Sequence, residues 1–301
     1  MSSQAKQPIA TNQEVAEFYL GIDFACIKKN LGNCLLRDDG ASLSLDFSKA
    51  DKRQVVCTAV DCPLGTSSEF LDVLNGKLPV NTNDKSLATR ASERWIRQHV
   101  SDNYETASMW NDAARKRYGR RWYFQETAHV QPTVAMRIVP KCLYWLLKEQ
   151  GQRFPSKSGL EILQDARKGK GKVVEAHPRM YLYSAVEKQH QRNRACVTPE
   201  VLFNVAEYKN SPERRRFVYC FLQQNTEWLQ PACRKLMPEE PPKEILDSDH
   251  AFDAFLSALT AWSHKQGMTI RWDQTTPSLP ESAVLHEGHI LVLAEKEQAH
   301  A

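Results

Sequence analysis

Three short runs of strand-forming residues in this chain each carry a carboxylate. They are Phe18-Tyr19-Leu20-Gly21-Ile22-Asp23-Phe24-Ala25, Val55-Val56-Cys57-Thr58-Ala59-Val60-Asp61 and Val173-Val174-Glu175. Taking an unpaired charge out of water costs several kcal/mol, so an acid inside such a run needs a partner or a purpose. A helical pattern near the C-terminus, Asp249-His250-Ala251-Phe252-Asp253-Ala254-Phe255-Leu256, adds two more acids. Carboxylates converging from strands and a helix are the means by which proteins hold hard divalent cations such as Mg²⁺.

In the first run the side chains alternate, with Phe18, Leu20, Ile22 and Phe24 on one face and Tyr19, Gly21, Asp23 and Ala25 on the other. Both faces are largely apolar, as a central strand covered on two sides requires. Asp23 is therefore expected to be half-buried, satisfied by local backbone N–H groups or by an arginine, or else held by a cation. Asp61 stands before Cys62-Pro63, where an acid also serves simply to start a turn. Glu175 has Arg179 and Lys172 within pairing distance along the chain.

On the C-terminal helix, Phe252, Phe255, Leu256 and Leu259 define the apolar stripe. Asp249 and Asp253, four apart, lie on its shoulder. The helix N-terminus accounts for Asp249, since negative charge is favoured there and Asp247 and Ser248 compete for the cap. It does not account for Asp253, a full turn inside. Two unit charges about 4 Å apart repel by about 4 kcal/mol at an effective dielectric of 20. A cluster of four acids thus calls for cations or raised pKa values, and bound Mg²⁺ is the simpler solution.

Around these points the chain reads as α/β. Strands are expected over 17–25, 33–37, 42–47 and 54–61, with Asp38-Asp39-Gly40 as a hairpin turn, so the sheet is mixed. Helical patterns cover 86–100, 106–118 and 132–150, and Pro140 kinks or splits the last. Residues 154–171 read as a polar, basic connection, followed by a strand at 172–176. Helices follow over 181–190, 199–208, 212–229 and 248–266, with a loop at 237–242 and two short strands around a Gly turn in 283–293. Residues 1–16 read as a disordered lead and 294–301 as a tail; between them lies one domain with a helical insertion at about 80–170.

Bulk properties narrow the classes. A chain of 301 residues buries roughly three quarters of its unfolded surface. A net charge of +4 is too small to diagnose nucleic-acid binding, so local clusters carry that argument. No apolar stretch approaches the ~20 residues that span a bilayer, and no signal peptide opens the chain. The eight cysteines contain no C-x-x-C pair, which disfavours structural zinc and points to reduced thiols in a cytoplasmic protein. No G-x-x-x-x-G-K-[ST] loop and no G-x-S-x-G elbow occurs.

Arg90, Arg94 and Arg97 share one helical face at spacings of four and three. Arg120 and Arg121 extend Arg115-Lys116-Arg117 and are interleaved with Tyr118, Trp122 and Tyr123, a mix that suits base stacking with phosphate attraction. Further basic runs lie at Arg167-Lys168 with Lys170 and Lys172, and at Arg214-Arg215-Arg216. A solvated surface is the plain alternative for each.

Six segments, in order, are similar to the domain-of-unknown-function family numbered 429. They are Gly21-Ile22-Asp23, Asp61-Cys62-Pro63-Leu64-Gly65, Arg90 to Arg97, Glu175-Ala176-His177-Pro178, Asp249 to Ala254 and Glu287-Gly288-His289-Ile290. The D-x-P-L-G and E-x-H-P elements are the most specific. The resemblance implies a ribonuclease H-like fold, a mixed five-stranded sheet with its first three strands antiparallel and flanked by helices. It further implies a nuclease with two Mg²⁺ (or Mn²⁺) ions. Asp23 would bridge both ions, Asp61 would hold one, and Asp249 or Asp253 the other. Glu175 is a fourth candidate catalytic acid and His177 a candidate proton shuttle, or else a structural histidine beside Pro178. Nucleic acid is the expected partner, through the arginines named above. An ATP-binding protein of the actin and sugar-kinase type, or a non-catalytic scaffold of the same fold, are the competing classes; Cys26-Ile27-Lys28-Lys29 stands where the former needs a Gly-rich loop.

Overall fold

A computed structural model describes residues 16–24, 32–48, 55–65, 104–109, 158–167, 172–224, 237–271 and 291–293, and the shorter pieces 72, 75–77, 90, 112, 142, 144–145 and 148. Its centre is a five-stranded mixed sheet of β1 (Glu17–Asp23), β2 (Gly32–Asp38), β3 (Leu43–Asp46), β4 (Cys57–Asp61) and β5 (Val173–Glu175). The spatial order is β3-β2-β1-β4-β5. The first three strands are antiparallel neighbours, while β4 runs parallel to β1 and β5 parallel to β4. The hairpin after β2 forms at Asp38-Asp39-Gly40, where Gly40 takes a φ of 88° and donates its N–H to Asp38. Thr269–Arg271 (β6) pairs with Leu291–Leu293 (β7) in a separate antiparallel ribbon.

Alternation along β1 divides the core in two. Leu20, Ile22 and Phe24 enter one apolar cluster with Leu35, Val60, Leu64 and Val173. Tyr19 enters the other, with Cys57, Ala59, Val174 and most of the helical core. The described helices are α1 (Gly159–Arg167), α2 (Pro178–Arg192), α3 (Pro199–Ala206), α4 (Pro212–Gln224), α5 (Lys243–Asp247) and α6 (Asp249–Lys265). The polar connection expected over 154–171 is in part a helix: α1 turns Ile162 and Ala166 inward and keeps its acids outward.

The helix α6 is buried on all sides from Phe252 to Ser263, which exceeds the single stripe expected. Two of its buried hydroxyls are satisfied locally, Ser257 donating to the Asp253 carbonyl and Thr260 to that of Leu256. Two glycines let it lie directly on the sheet. A Cβ at Gly21 would sit 1.9 Å from the carbonyl oxygen of Ala254, and one at Gly32 would sit 2.1 Å from that of His250. The helix backbone therefore touches β1, and Asp253 comes down beside the end of that strand. Among the described residues no helix is long and apolar enough to cross a membrane.

Candidate functional site

Asp23 and Asp61 are the last residues of β1 and β4, and they are register partners across the parallel pair. Parallel pairing in register sends both side chains to one face, the face carrying Tyr19, Ala59 and α6. Asp23 is 6% exposed. Its Oδ2 is 2.6 Å from Nδ1 of His250 on α6. Burial pushes the Asp23 carboxyl up, Asp253 adds to that, and His250 and Lys209 pull it partly back. The hydrogen bond to Asp23 in turn raises His250 above its ordinary value, despite the opposing effect of burial. Asp61 receives no hydrogen bond or ion pair from any described residue. Burial, followed by the charges of Asp23 and Asp253, drives its carboxyl well above the usual range, and Lys209 offsets this in part.

Asp253 completes the group from α6. It is 1% exposed, and both its oxygens are engaged. The Tyr208 hydroxyl donates to Oδ1, and the Lys209 ammonium lies 2.5 Å from Oδ2. Both partners come from a 3₁₀ turn, Tyr208–Asn210, between α3 and α4. Buried Arg215 fixes that turn, donating to the carbonyls of Tyr208 and Lys209 while its other donors reach the carbonyl of Leu246 on α5. Arg179, on α2, lies close enough for its charge to act on Tyr208 and Asp253. Burial alone would pull the Lys209 ammonium down, but Asp253 and Asp61 outweigh it and the net direction is up.

The remaining expected site residues lie elsewhere. Glu175 is paired in register with Val60, so it points to the opposite face from Asp61. There Arg90 grips both its oxygens, at 2.8 and 2.5 Å, and the Leu64 N–H donates to it at 2.9 Å. Arg90, rather than Arg179 or Lys172, is thus the partner of Glu175, and it is 3% exposed. Glu175 pins the turn that follows Asp61. Arg167 holds the same turn through the carbonyl of Leu64 at 2.8 Å. His177 is the N-cap of α2, its Nδ1 accepting from the Met180 N–H, and Pro178 fills the first helical position. The E-x-H-P and D-x-P-L-G elements are in this way two halves of one structural joint. Asp249 opens α6 after the Ser248 cap, and its charge helps raise His250. Between the two helix acids, Asp253 is the one that meets Asp23 and Asp61. Arg94, Arg97, Arg120 and Arg121 lie outside the described residues. In the run Arg214-Arg215-Arg216, Arg214 covers the Phe203 ring and Arg216 pairs with Glu240 at 3.0 Å, so both make contacts within the chain.

The arrangement accommodates one divalent ion better than two. Mg²⁺ commonly binds through one or two carboxylates completed by water or substrate oxygens, and Asp61, without a partner among the described residues, offers that pair with Asp23. A second ion between Asp61 and Asp253 is disfavoured, because the Lys209 ammonium at Asp253 Oδ2 already balances that charge and would repel a dication. Among the described residues, no three His, Cys, Asp or Glu side chains are arranged to hold a metal ion. Lys209, Tyr208, Arg179, Arg215 and His250 are the site residues that sequence reasoning missed. An ordinary Tyr-Lys-Asn turn carries no signal of its own, whereas His250, between two acids on a helix, was at least visible.

A family profile described as "Protein of unknown function (DUF429)" matches residues 21–277. That span takes in both strand-end aspartates, the turn bearing Lys209 and the whole of α6. Comparison with curated proteins and with solved structures returned no match.

Proposed function

The chain belongs to the DUF429 family, and from that membership and its strand-end carboxylates we propose that it is a hydrolase of phosphodiester bonds in RNA or DNA, built on a ribonuclease H-like sheet. The observation that carries the reading is the register pairing of Asp23 with Asp61 at the ends of two adjacent parallel strands, where open α/β sheets place their ligands. The strand order β3-β2-β1-β4-β5, antiparallel over its first three members, supports the fold assignment.

Asp23 and Asp61 would hold one Mg²⁺ or Mn²⁺, which when bound supplies Lewis-acid stabilisation to the phosphate. The Lys209 ammonium balances charge on the same side, next to Asp253. His250 keeps its proton through Asp23 and, being 31% exposed, is placed to pass it to a departing oxygen. It takes the shuttle role first considered for His177. Arg94, Arg97, Arg120 and Arg121 are the proposed phosphate contacts.

The test is incubation of the purified protein with labelled RNA and DNA in Mg²⁺, Mn²⁺ or EDTA, alongside Asp23→Asn and Asp61→Asn. Cleavage by wild type but by neither variant is expected; cleavage that survives Asp23→Asn rejects the assignment. A second reading, a non-catalytic scaffold, has one observation in its favour: Asp23, Asp253 and Glu175 each already have a partner within the chain. A folded protein inert on both nucleic acids and without Mn²⁺ affinity would select it.

A further inference from the structure

We infer that Lys209 is the site's resident cation, its ammonium standing where a second divalent ion would otherwise sit between Asp61 and Asp253. The inference rests on the reading of Asp23, Asp61 and Asp253 as one site. Three observations converge on it.

The first is position. Lys209 Nζ lies 2.5 Å from Asp253 Oδ2, and its charge also acts favourably on Asp61 and Asp23. One ammonium therefore serves three carboxylates drawn from two strands and a helix. The second is construction. The Lys209 carbonyl and that of Tyr208 are both held by Arg215, and Tyr208 takes the other oxygen of Asp253. The turn is anchored to deliver these two side chains together, so the contact is not a chance surface pairing. The third is the contrast in exposure. The Lys209 side chain is 35% exposed while Asp253 is 1% exposed. A cation reaching in from the rim thus supplies charge balance to an acid that water barely touches. An ammonium gives one positive charge and three N–H donors and takes no lone pairs, whereas Mg²⁺ demands near-octahedral oxygen donors. With the Lys209 ammonium 2.5 Å from Oδ2, the charge of Asp253 is already balanced and a dication brought to the same oxygen would meet a like charge.

The experiment counts Mn²⁺ ions bound per chain by electron paramagnetic resonance, using full-length wild type, Lys209→Gln and Lys209→Met. Gln keeps a hydrogen-bond donor for Asp253 without the charge; Met removes both, and circular dichroism establishes which variants are folded. Wild type is expected to saturate at one Mn²⁺, and a folded Lys209 variant to gain a second equivalent that is lost again when Asp61→Asn is added. Two ions in wild type, or an unchanged count in every folded Lys209 variant, would overturn the inference. Nucleic-acid cleavage separates this from the functional reading. Wild type that cleaves while the count stays unchanged in the Lys209 variants removes the role of Lys209 alone. A gained ion in a protein that never cleaves removes the hydrolase reading alone.

Discussion

Two buried ion pairs flank the ends of β4, one on each face of the sheet, and they are built to opposite plans. On one face Arg90 and Glu175 are 3% and 2% exposed, joined by a two-pronged contact, and the Leu64 N–H adds a further donor to Glu175. On the other, Lys209 reaches Asp253 from a partly open rim, and Asp61 beside them has no partner among the described residues. The first arrangement balances charge and geometry and leaves nothing over, so its product is a fixed turn after Asp61. The second leaves a carboxylate with excess proton affinity facing a cluster of groups able to meet a ligand. Satisfied charge marks structure here, and unsatisfied charge marks the candidate site.

The contrast can be broken most severely at Gly21. Valine there would force its side chain into the α6 backbone, separating Asp253 from Asp23; a loss of more than about 4 kcal/mol or failure to fold is expected, read by urea denaturation. Next comes Arg90→Met, which strands Glu175 in the core and should cost about 3–5 kcal/mol in the same measurement. Asp61→Asn should act in the other direction. Removing an acid that has no partner among the described residues should raise stability by about 1 kcal/mol while lowering any cleavage by about 100-fold or more. Destabilisation by this variant would show Asp61 to be a structural residue after all.

The pH dependence sharpens the same point. Asp61 and Asp23 hold protons more tightly in the folded chain than in the unfolded one, where the ordinary value is 3.8, so stability should fall as pH rises above that value and through their raised folded values. His250, also raised, contributes stability that is complete below its ordinary 6.5 and fades as pH passes through its higher folded value. Urea midpoints of wild type should therefore decline as pH rises above these ordinary values and through the raised folded ones, and Asp61→Asn should flatten that slope. The smallest effect belongs to Asp249→Asn, which should cost about 0.3–1 kcal/mol through the helix terminus and leave Mn²⁺ binding as in wild type.

Much of the frame was legible in the residues themselves. Alternation along 18–24 identified a strand buried on both faces, and Asp-Gly located the first hairpin, because both signals are local. That Asp23 and Asp61 close two apolar strands was legible as well, but their pairing in register is shown only by the structure. What escaped was long-range. Lys209 lies 44 residues from Asp253, and Arg90 lies 85 from Glu175, so neither pairing leaves a trace in nearby spacing. The helix α1 was hidden by its polar face, with Glu161, Gln164, Asp165 and Arg167 outnumbering its inward side chains. Strand β6 is three residues long, too short for alternation to register.

The contact of α6 with β1 through Gly21, and with β2 through Gly32, has one more consequence. Because main chain rests on main chain, the gap between Asp253 and Asp23 is gauged by atoms common to every amino acid. Exchanges among the surrounding phenylalanines and leucines can make the protein sturdier or frailer without altering that gap. The spacing of the acids is thereby insulated from drift in the rest of the interior.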